Sequence, residues 1–213
     1  MYMPAHFTAK ELVPVHQLMR ACPLALLLGP DAQGQGFGSH LPLTLLDEAS
    51  DRSGCGMLLE GHMARANPHW GWLAGLPAQG QDVMAVFSGP SAYVSPRHSD
   101  SHLAVPTWNY AAVHVYGELE LIDDAQAKDD LLKRLIAQHE PGYAAQWRDL
   151  PEDFQSKMLG AIVGFRLHVR RWEGKFKLSQ NRSAAERGRI REAMAAGTPT
   201  EQDVGAWMTR LGL

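Results

Sequence analysis

Alternation of apolar and polar residues predicts β-strands along most of the chain. The clearest case is 111–121, where Val113 and Val115 fall on one face while His114 and Tyr116 fall on the other. Gly117 inside this run is expected to mark a bulge or bend. Shorter runs with strand patterns lie at 24–28, 39–43, 57–60, 83–88, 92–95, 165–170 and 175–178, and Gly89-Pro90 is expected to form a turn between two of them.

Capping signals and apolar spacing predict helices at both ends of the chain and in one internal insertion. Thr8 and Glu11 have the spacing of a capping box, which predicts a helix ending near residue 20. Ser183 and Glu186 have the same spacing and predict a helix to about residue 196. Further helices are expected over 124–138, 151–159 and 200–211.

The order of these elements predicts a mostly β protein with helices. Strands at hairpin spacing favour a mostly antiparallel barrel, interrupted by one long helical insertion. The chain has no clear internal linker, so we expect a single domain over 1–213 with a helical C-terminal appendage at about 183–213.

Composition narrows the class of protein. The chain has 213 residues, 45% of them hydrophobic, and a formal net charge of -3, which is ordinary for a soluble globular protein. No apolar run approaches the ~20 residues that a membrane helix needs, and the first residues lack the features of a signal peptide. Cys22 and Cys55 form no disulfide framework, so we expect a cytoplasmic protein that does not bind membranes.

The charge is unevenly distributed, because basic residues dominate the stretch from Arg170 to Arg191. Such a run either contacts an anionic partner such as nucleic acid or forms a solvated surface. The negative total charge gives no general support for nucleic-acid binding.

Trp108, Asn109 and Tyr110 lie side by side where the 111–121 strand is entered. Polar tips need hydrogen-bond partners once they are buried, so such a cluster is poor core material. It suits a planar ligand with polar edges, because rings offer flat apolar faces and amides bind edges. The alternative is a strand entry whose rings cover a core edge.

Two segments have the features of anion sites. Asn67-Pro68 predicts the start of a helix, whose free N–H groups and positive dipole end attract phosphate, and Arg65 could add a charge there. In the second segment, Lys175, Lys177 and Ser179 share one strand face, and Gln180 and Asn181 lead to the cap at Ser183. The alternatives are that Arg65 pairs with a surface acid and that the second segment is a polar strand end. Together with the aromatic cluster, the two segments indicate a phosphorylated, planar cofactor.

Other patterns carry little chemistry. His98 and His102 have the i,i+4 spacing of metal ligands, but Pro96 and the intervening Ser and Asp residues favour a loop. The sequence has no nucleophile elbow, phosphate-binding P-loop or dinucleotide fingerprint. We therefore assign no catalytic residue and no metal ligand.

Five stretches in order resemble the PaiB family, whose members are described as FMN-binding negative transcriptional regulators. They are Met1–Phe7, Gly61–Pro68, Gly89–Pro96, Val105–Gly117 and Lys177–Ser183. The resemblance implies the FMN-binding split barrel, in which two subunits pack together and hold flavin in clefts at their interface.

The resemblance also implies roles for individual residues. The flavin ring would lie near Trp108, Asn109 and Tyr110, and the phosphate would contact groups such as Arg65, Lys177 and Ser179. Ser39 and His40 resemble an early strand of the family and would line the cleft.

Three functions stay open. The first is a homodimeric FMN-binding regulator that acts directly on DNA or indirectly, and the second is a flavin-dependent oxidoreductase acting on a small molecule. The third is a haem-binding split barrel, with axial ligand candidates His40, His62, His114 and His168.

Overall fold

The structure, a computed structural model, describes residues 1–46 and 55–213. Within these residues, seven strands form one antiparallel sheet in the order β2-β1-β5-β6-β7-β4-β3. The strands are β1 Leu24–Pro30, β2 Gly36–Pro42, β3 Thr44–Leu46, β4 Leu58–Ala64, β5 Val83–Val94, β6 Thr107–Ile122 and β7 Ile162–Lys177.

Two strand pairings, β1 with β2 and β4 with β7, follow turn chemistry and burial. β1 and β2 form an antiparallel hairpin, and the Asp31 carboxylate at its turn accepts hydrogen bonds from the N–H groups of Gln33 and Gln35 at 2.8 Å each. β4 pairs antiparallel with the first half of β7, from Ala64 opposite Ile162 to Leu58 opposite His168. Both strands are mostly buried there, as expected for interior strands of a sheet.

The helices lie at the ends of the chain and between strands, as the sequence predicts. α3, α4 and α5 form the insertion between β6 and β7, and α6 and α7 follow β7. The bounds are α1 Leu12–Ala21, α2 His69–Ala74, α3 Ala125–His139, α4 Ala144–Asp149, α5 Glu152–Gly160, α6 Ala184–Ala195 and α7 Pro199–Arg210. None of the helices in the described ranges is both long and apolar enough to cross a bilayer.

One of the two predicted capping boxes forms. Ser183 and Glu186 cap each other's N–H groups at the start of α6, which confirms the prediction. The box at Thr8 and Glu11 is wrong: α1 begins at Leu12, and the Thr8 hydroxyl donates to the Pro4 carbonyl at 3.0 Å. Thr8 instead forms an isolated bridge with Lys175 in β7.

The turn predicted at Gly89-Pro90 is wrong, because β5 continues through both residues. A Cβ on Gly89 would lie 3.0 Å from the Ala111 carbonyl oxygen and 2.7 Å from a Leu18 methyl group. Glycine at this position therefore permits a close approach of neighbouring atoms. β1 pairs with β5 only at Met84–Val86, so Pro90 breaks no pairing with β1.

The residues divide into two compact units. The first contains Met1–Cys22, Phe87–His114 and Glu173–Leu213, and the second contains Pro23–Val86 and Val115–Trp172. Each has its own buried apolar side chains, such as Leu18 and Met208 in the first unit and Leu59 and Phe165 in the second. The C-terminal helices α6 and α7 belong to the first unit together with α1.

Candidate functional site

The first residues of β6 divide the aromatic and amide cluster between two faces. Burial alternates along the strand, and Asn109 is 1% exposed on the same face as Ala111, Val113 and Val115. This confirms the predicted alternation. Trp108 points the other way and is 53% exposed, and its ring meets the Tyr93 ring edge-on with centroids 6.3 Å apart. An exposed aromatic face at the start of β6 is therefore available to a planar ligand.

Asn109 and Ser179 form a buried polar pair in the first unit. The Ser179 hydroxyl donates to the Asn109 side-chain oxygen at 3.0 Å, and the Asn109 amide approaches the Met208 sulfur at 3.9 Å. Ser179 has a φ of 66°, in the left-handed region, where a non-glycine residue is uncommon. The pair fixes the turn after β7 relative to β6.

Lys177 lies beside the exposed ring. Its ammonium donates to the Trp108 carbonyl oxygen at 2.7 Å and to the Thr107 hydroxyl. Burial lowers the pKa of Lys177 from its ordinary value, and the nearby charge of Lys175 lowers it further. Two positive groups at this position favour the approach of an anion.

Lys175 belongs to the second anion-site segment of the sequence analysis, which gave it no individual contact with the cofactor. It is 7% exposed, and its ammonium donates to the Tyr2 carbonyl oxygen at 3.0 Å. The same nitrogen lies 5.4 Å from the ring centres of Tyr2 and of Tyr110. Within the described residues no carboxylate lies within 4.0 Å of it. A buried cation is usually paired, so the missing counter-ion is the signal that identifies this position.

The remaining candidates after β7 have separate roles. The Gln180 side chain accepts from the Leu178 N–H at 2.7 Å and donates to the Phe176 carbonyl, so it holds the turn itself. Asn181 is exposed, next to this turn.

Arg65 in the second unit is held by groups of the protein. Its guanidinium pairs with the Asp123 carboxylate and donates to the carbonyl oxygens of Gly160, at 3.0 Å, and Ile162, at 3.2 Å. This is the alternative arrangement, in which Arg65 pairs with a surface acid. The helix after it, α2, begins at His69 and has six residues.

Ser39 and Asn67 belong to a small polar network around His69, which the sequence analysis missed. Asn67 accepts from the His69 N–H at 3.1 Å and donates to the Ser39 hydroxyl oxygen at 3.0 Å. That hydroxyl lies 2.9 Å from Nδ1 of His69, a fully buried side chain whose pKa is lowered by burial. His40, the next residue of β2, is exposed.

The basic run 170–191 does not form a single free surface. Arg170 pairs with Asp82 and Glu118, and Arg171 lies 3.6 Å from the centre of the Tyr116 ring. Farther along, Arg189 donates to the His98 carbonyl and pairs with Asp100. Contacts of this kind favour the solvated-surface alternative over a nucleic-acid site.

The histidines named as haem ligand candidates have different surroundings. Nε2 of His168 lies 2.7 Å from a Glu120 carboxylate oxygen. Burial lowers the pKa values of His62 and His114. Across the residues that the structure describes, no three His, Cys, Asp or Glu side chains come together as a metal site.

The chain matches a known family model over residues 1–171, and that model is described as "Putative FMN-binding domain". It is also 29% identical, over 191 residues, to the protein of Bacillus subtilis named "Protease synthase and sporulation protein PAI 2". That match covers 87% of this chain and 85% of the relative.

Two solved structures have a similar fold. The flavocytochrome Anf3 of Azotobacter vinelandii superposes with a TM-score of 0.62 at 20% identity, covering 82% of this chain and 72% of that one. The FAD and heme binding protein of Mycobacterium smegmatis superposes with a TM-score of 0.61 at 18% identity, covering 90% of this chain and 80% of that one. The predicted fold, a mostly β split barrel of the flavin-binding type with helices, is confirmed.

Proposed function

Because this chain belongs to the PaiB family of FMN-binding domains, we propose that it binds FMN through the first unit. The family match is the observation that carries this proposal. The arrangement around Trp108, Lys175 and Lys177 supports it independently.

The charges of the first unit fit a phosphate group. Lys175 is a buried cation without a carboxylate partner in the described residues, and Lys177 lies close enough for its pKa to be lowered by Lys175. Taking a charge out of water is costly unless an opposite charge compensates it. A phosphate dianion beside both ammonium groups would supply that compensation through charge-assisted hydrogen bonds.

The exposed Trp108 face fits the ring system of the flavin. The Tyr93 ring meets the Trp108 indole edge-on, and the Lys177 ammonium donates to the backbone carbonyl oxygen of Trp108. The Asn109 amide points inward and bonds Ser179. We therefore assign Asn109, Ser179 and Gln180 to shaping the turn that carries the lysines, and Tyr110 to flanking Lys175. Exposed Asn181 is free to contact the phosphate.

Bound FMN supplies hydride and electron transfer, which the side chains of this chain do not provide themselves. The residues of the first unit hold and orient the cofactor and exclude water from its phosphate. No residue is assigned a catalytic role. Arg65, Asn67, Ser39 and His40 of the second unit stay candidates for cofactor contacts, although Arg65 and Asn67 already bond protein groups.

We propose a homodimer with FMN at the subunit interface. Leu103, Val105 and Trp108 are 96%, 72% and 53% exposed and lie within six residues of one another in the sequence. Grouped apolar side chains on a surface indicate a protein interface. A second copy of the chain would cover them and would enclose a ligand that lies on the Trp108 face.

For the regulatory function, we propose an indirect route in which flavin chemistry alters a small molecule. The contacts of Arg170, Arg171 and Arg189 with protein groups give little support to direct DNA binding. An oxidoreductase with FMN as its cofactor is the alternative that this route favours. Salt-sensitive, sequence-selective retention of DNA by the purified protein would contradict the indirect route.

A visible spectrum combined with gel filtration tests the proposal. FMN is added to the purified chain, excess is removed, and the absorbance of the eluted protein is recorded. We expect a flavin band that co-elutes with protein at the size of a dimer. A protein that elutes without flavin would overturn the FMN assignment, and an intense haem band would favour the haem alternative.

A further inference from the structure

One pocket of the first unit is lined by neither Lys175 nor Lys177. It has a volume of about 210 Å³ and is lined by Tyr93, Ser95, Arg97, His98, Ala193, Met194 and Glu201. The volume is below the roughly 300–1,000 Å³ of pockets for drug-sized ligands. The pocket therefore fits a small metabolite.

Hydrogen bonds with α6 hold the segment His98–Asp100, which contributes His98 to one wall of this pocket. Arg189 donates two hydrogen bonds to the His98 carbonyl oxygen, at 3.1 and 2.9 Å. Glu186 accepts from the Ser99 hydroxyl at 2.7 Å and from the Asp100 N–H at 3.0 Å, while it also caps α6. A segment held in this way is preorganised, which lowers the entropic cost of binding a ligand there.

Two opposite charges face the pocket without pairing with each other. Arg97 is exposed, and its only side-chain partner in the described residues is Nε2 of His98 at 3.4 Å. Oε2 of Glu201 accepts from the N–H and hydroxyl of Thr198, at 2.7 and 2.8 Å. Arg97 and Glu201 are not within ion-pair distance, yet the Arg97 charge is felt at the Glu201 carboxyl. The two charges therefore line the same pocket without forming an ion pair.

The pKa shifts of Glu201 and His98 give the pocket a charged carboxylate and a neutral imidazole at neutral pH. Hydrogen bonds from Thr198 hold the pKa of Glu201 below its ordinary value, with a smaller effect from Arg97, so this carboxyl is ionised at neutral pH. Burial, Arg97 and Arg189 lower the pKa of His98, so the imidazole is neutral there. The pocket therefore presents one positive and one negative side chain, beside the apolar surfaces of Tyr93 and Met194.

We propose that this pocket binds a small zwitterion of the α-amino acid class, with its carboxylate on Arg97 and its ammonium on Glu201. The guanidinium can hold a carboxylate through two parallel hydrogen bonds, and Oε1 of Glu201 can accept from the ammonium. The ligand's side chain packs against Tyr93 and Met194. The site goes beyond the proposed FMN function and does not depend on it.

The test uses the full-length chain and the twenty proteinogenic L-amino acids as probes. Each is screened by thermal shift, and the best probe is titrated by calorimetry beside two analogues, one lacking its ammonium and one lacking its carboxylate. We expect at least one L-amino acid to raise the melting temperature and to bind more tightly than either analogue. A screen in which none binds, or an analogue that binds as tightly as the amino acid, would overturn the proposal.

Two variants assign the contacts. Arg97→Gln and Glu201→Gln each remove one charge, and glutamine at 201 can still serve the capping box of α7. We expect each variant to lower the affinity for the amino acid by ~10- to 100-fold, the usual scale for hydrogen bonds to charged groups. Glu201→Gln should leave the carboxylate-only analogue unaffected, whereas Arg97→Gln should weaken it. Arg191→Gln is the matched control, since Arg191 is exposed on α6 and lies outside the pocket.

Unchanged affinity in both pocket variants would show that the amino acid binds elsewhere and would contradict the assignment. Flavin binding is measured on the same preparations. Because Lys175 and Lys177 are untouched, loss of amino-acid binding with retained FMN binding separates this site from the cofactor site.

Discussion

Lys175 is the side chain whose environment is hardest to explain by folding alone. Its ammonium is buried, has one hydrogen bond to a backbone carbonyl, and lies near two tyrosine rings at a distance typical of a cation–π contact. An apolar side chain of similar length would remove this charge and also the hydrogen bond to Tyr2. A buried charge kept without a protein partner indicates a ligand that supplies the opposite charge.

Replacing Lys175 by methionine should therefore separate stability from binding. We expect Lys175→Met to raise the free energy of unfolding of the cofactor-free protein by about 1 kcal/mol or more, because replacing buried charge with apolar surface is often stabilising. The same substitution should lower the affinity of the protein for FMN. Urea unfolding and FMN titration measure the two effects.

Lys157→Met is the control for this variant, because Lys157 is exposed on α5. It should leave both quantities nearly unchanged. If Lys175→Met destabilised the protein and left FMN affinity intact, Lys175 would be a structural residue and the phosphate assignment would lose its main support.

At the level of elements, β6 and β7 lie very close together at Gly117. A Cβ on Gly117 would lie 2.0 Å from the carbonyl oxygen of His168, a backbone atom that has no room to move aside. Glycine is required here by the closeness of two strands. Both residues of this contact belong to the second unit.

Alanine at Gly117 should consequently be much more harmful than alanine at a glycine in open space. We expect Gly117→Ala to destabilise the protein by about 3 kcal/mol or more, because overpacking forces the backbone to shift. Gly188 lies inside α6 with nothing within 4 Å of its Cβ position, so Gly188→Ala should stabilise by about 1 kcal/mol. Thermal unfolding of both variants tests the contrast, and equal effects would contradict it.

The elements also mark the limit of sequence-based prediction. The alternation of β6 and the capping box at Ser183 depend on neighbouring residues, and both were predicted correctly. The continuous course of β5 through Gly89-Pro90 depends on Leu18 and Ala111, which are distant in sequence, so the local pattern wrongly predicted a turn. The capping box at Thr8 failed for the same reason, because Thr8 bridges to Lys175.

The candidate site follows the same rule. Residue types and resemblance selected Trp108 and Lys177, whose roles at the cofactor stay predictions. They could not reveal that Arg65 is already paired with Asp123, or that Lys175 lacks a carboxylate, because both facts arise from tertiary contacts. His69, in contrast, sits two residues after the predicted helix start, and its burial gave no sequence signal.

At the scale of the whole molecule, the total charge and the local charge have opposite signs. The chain carries a net charge of -3, yet Lys175 and Lys177 place two positive groups at one end of β7. Total charge therefore says little about the ligand of this protein. The local arrangement predicts that a phosphorylated flavin binds in preference to one without phosphate.

The affinities of the protein for FMN and for riboflavin, both measured by quenching of flavin fluorescence, test this preference most directly. Riboflavin has the same ring system and lacks the phosphate, so the ratio of the two affinities isolates the phosphate contribution. We expect FMN to bind at least about tenfold more tightly, and Lys177→Gln to weaken FMN by about 1.5–3 kcal/mol while leaving riboflavin nearly unchanged. Lys157→Gln should change neither. Equal affinities for both flavins in the wild-type protein, or no binding of either, would contradict an FMN site built on Lys175 and Lys177.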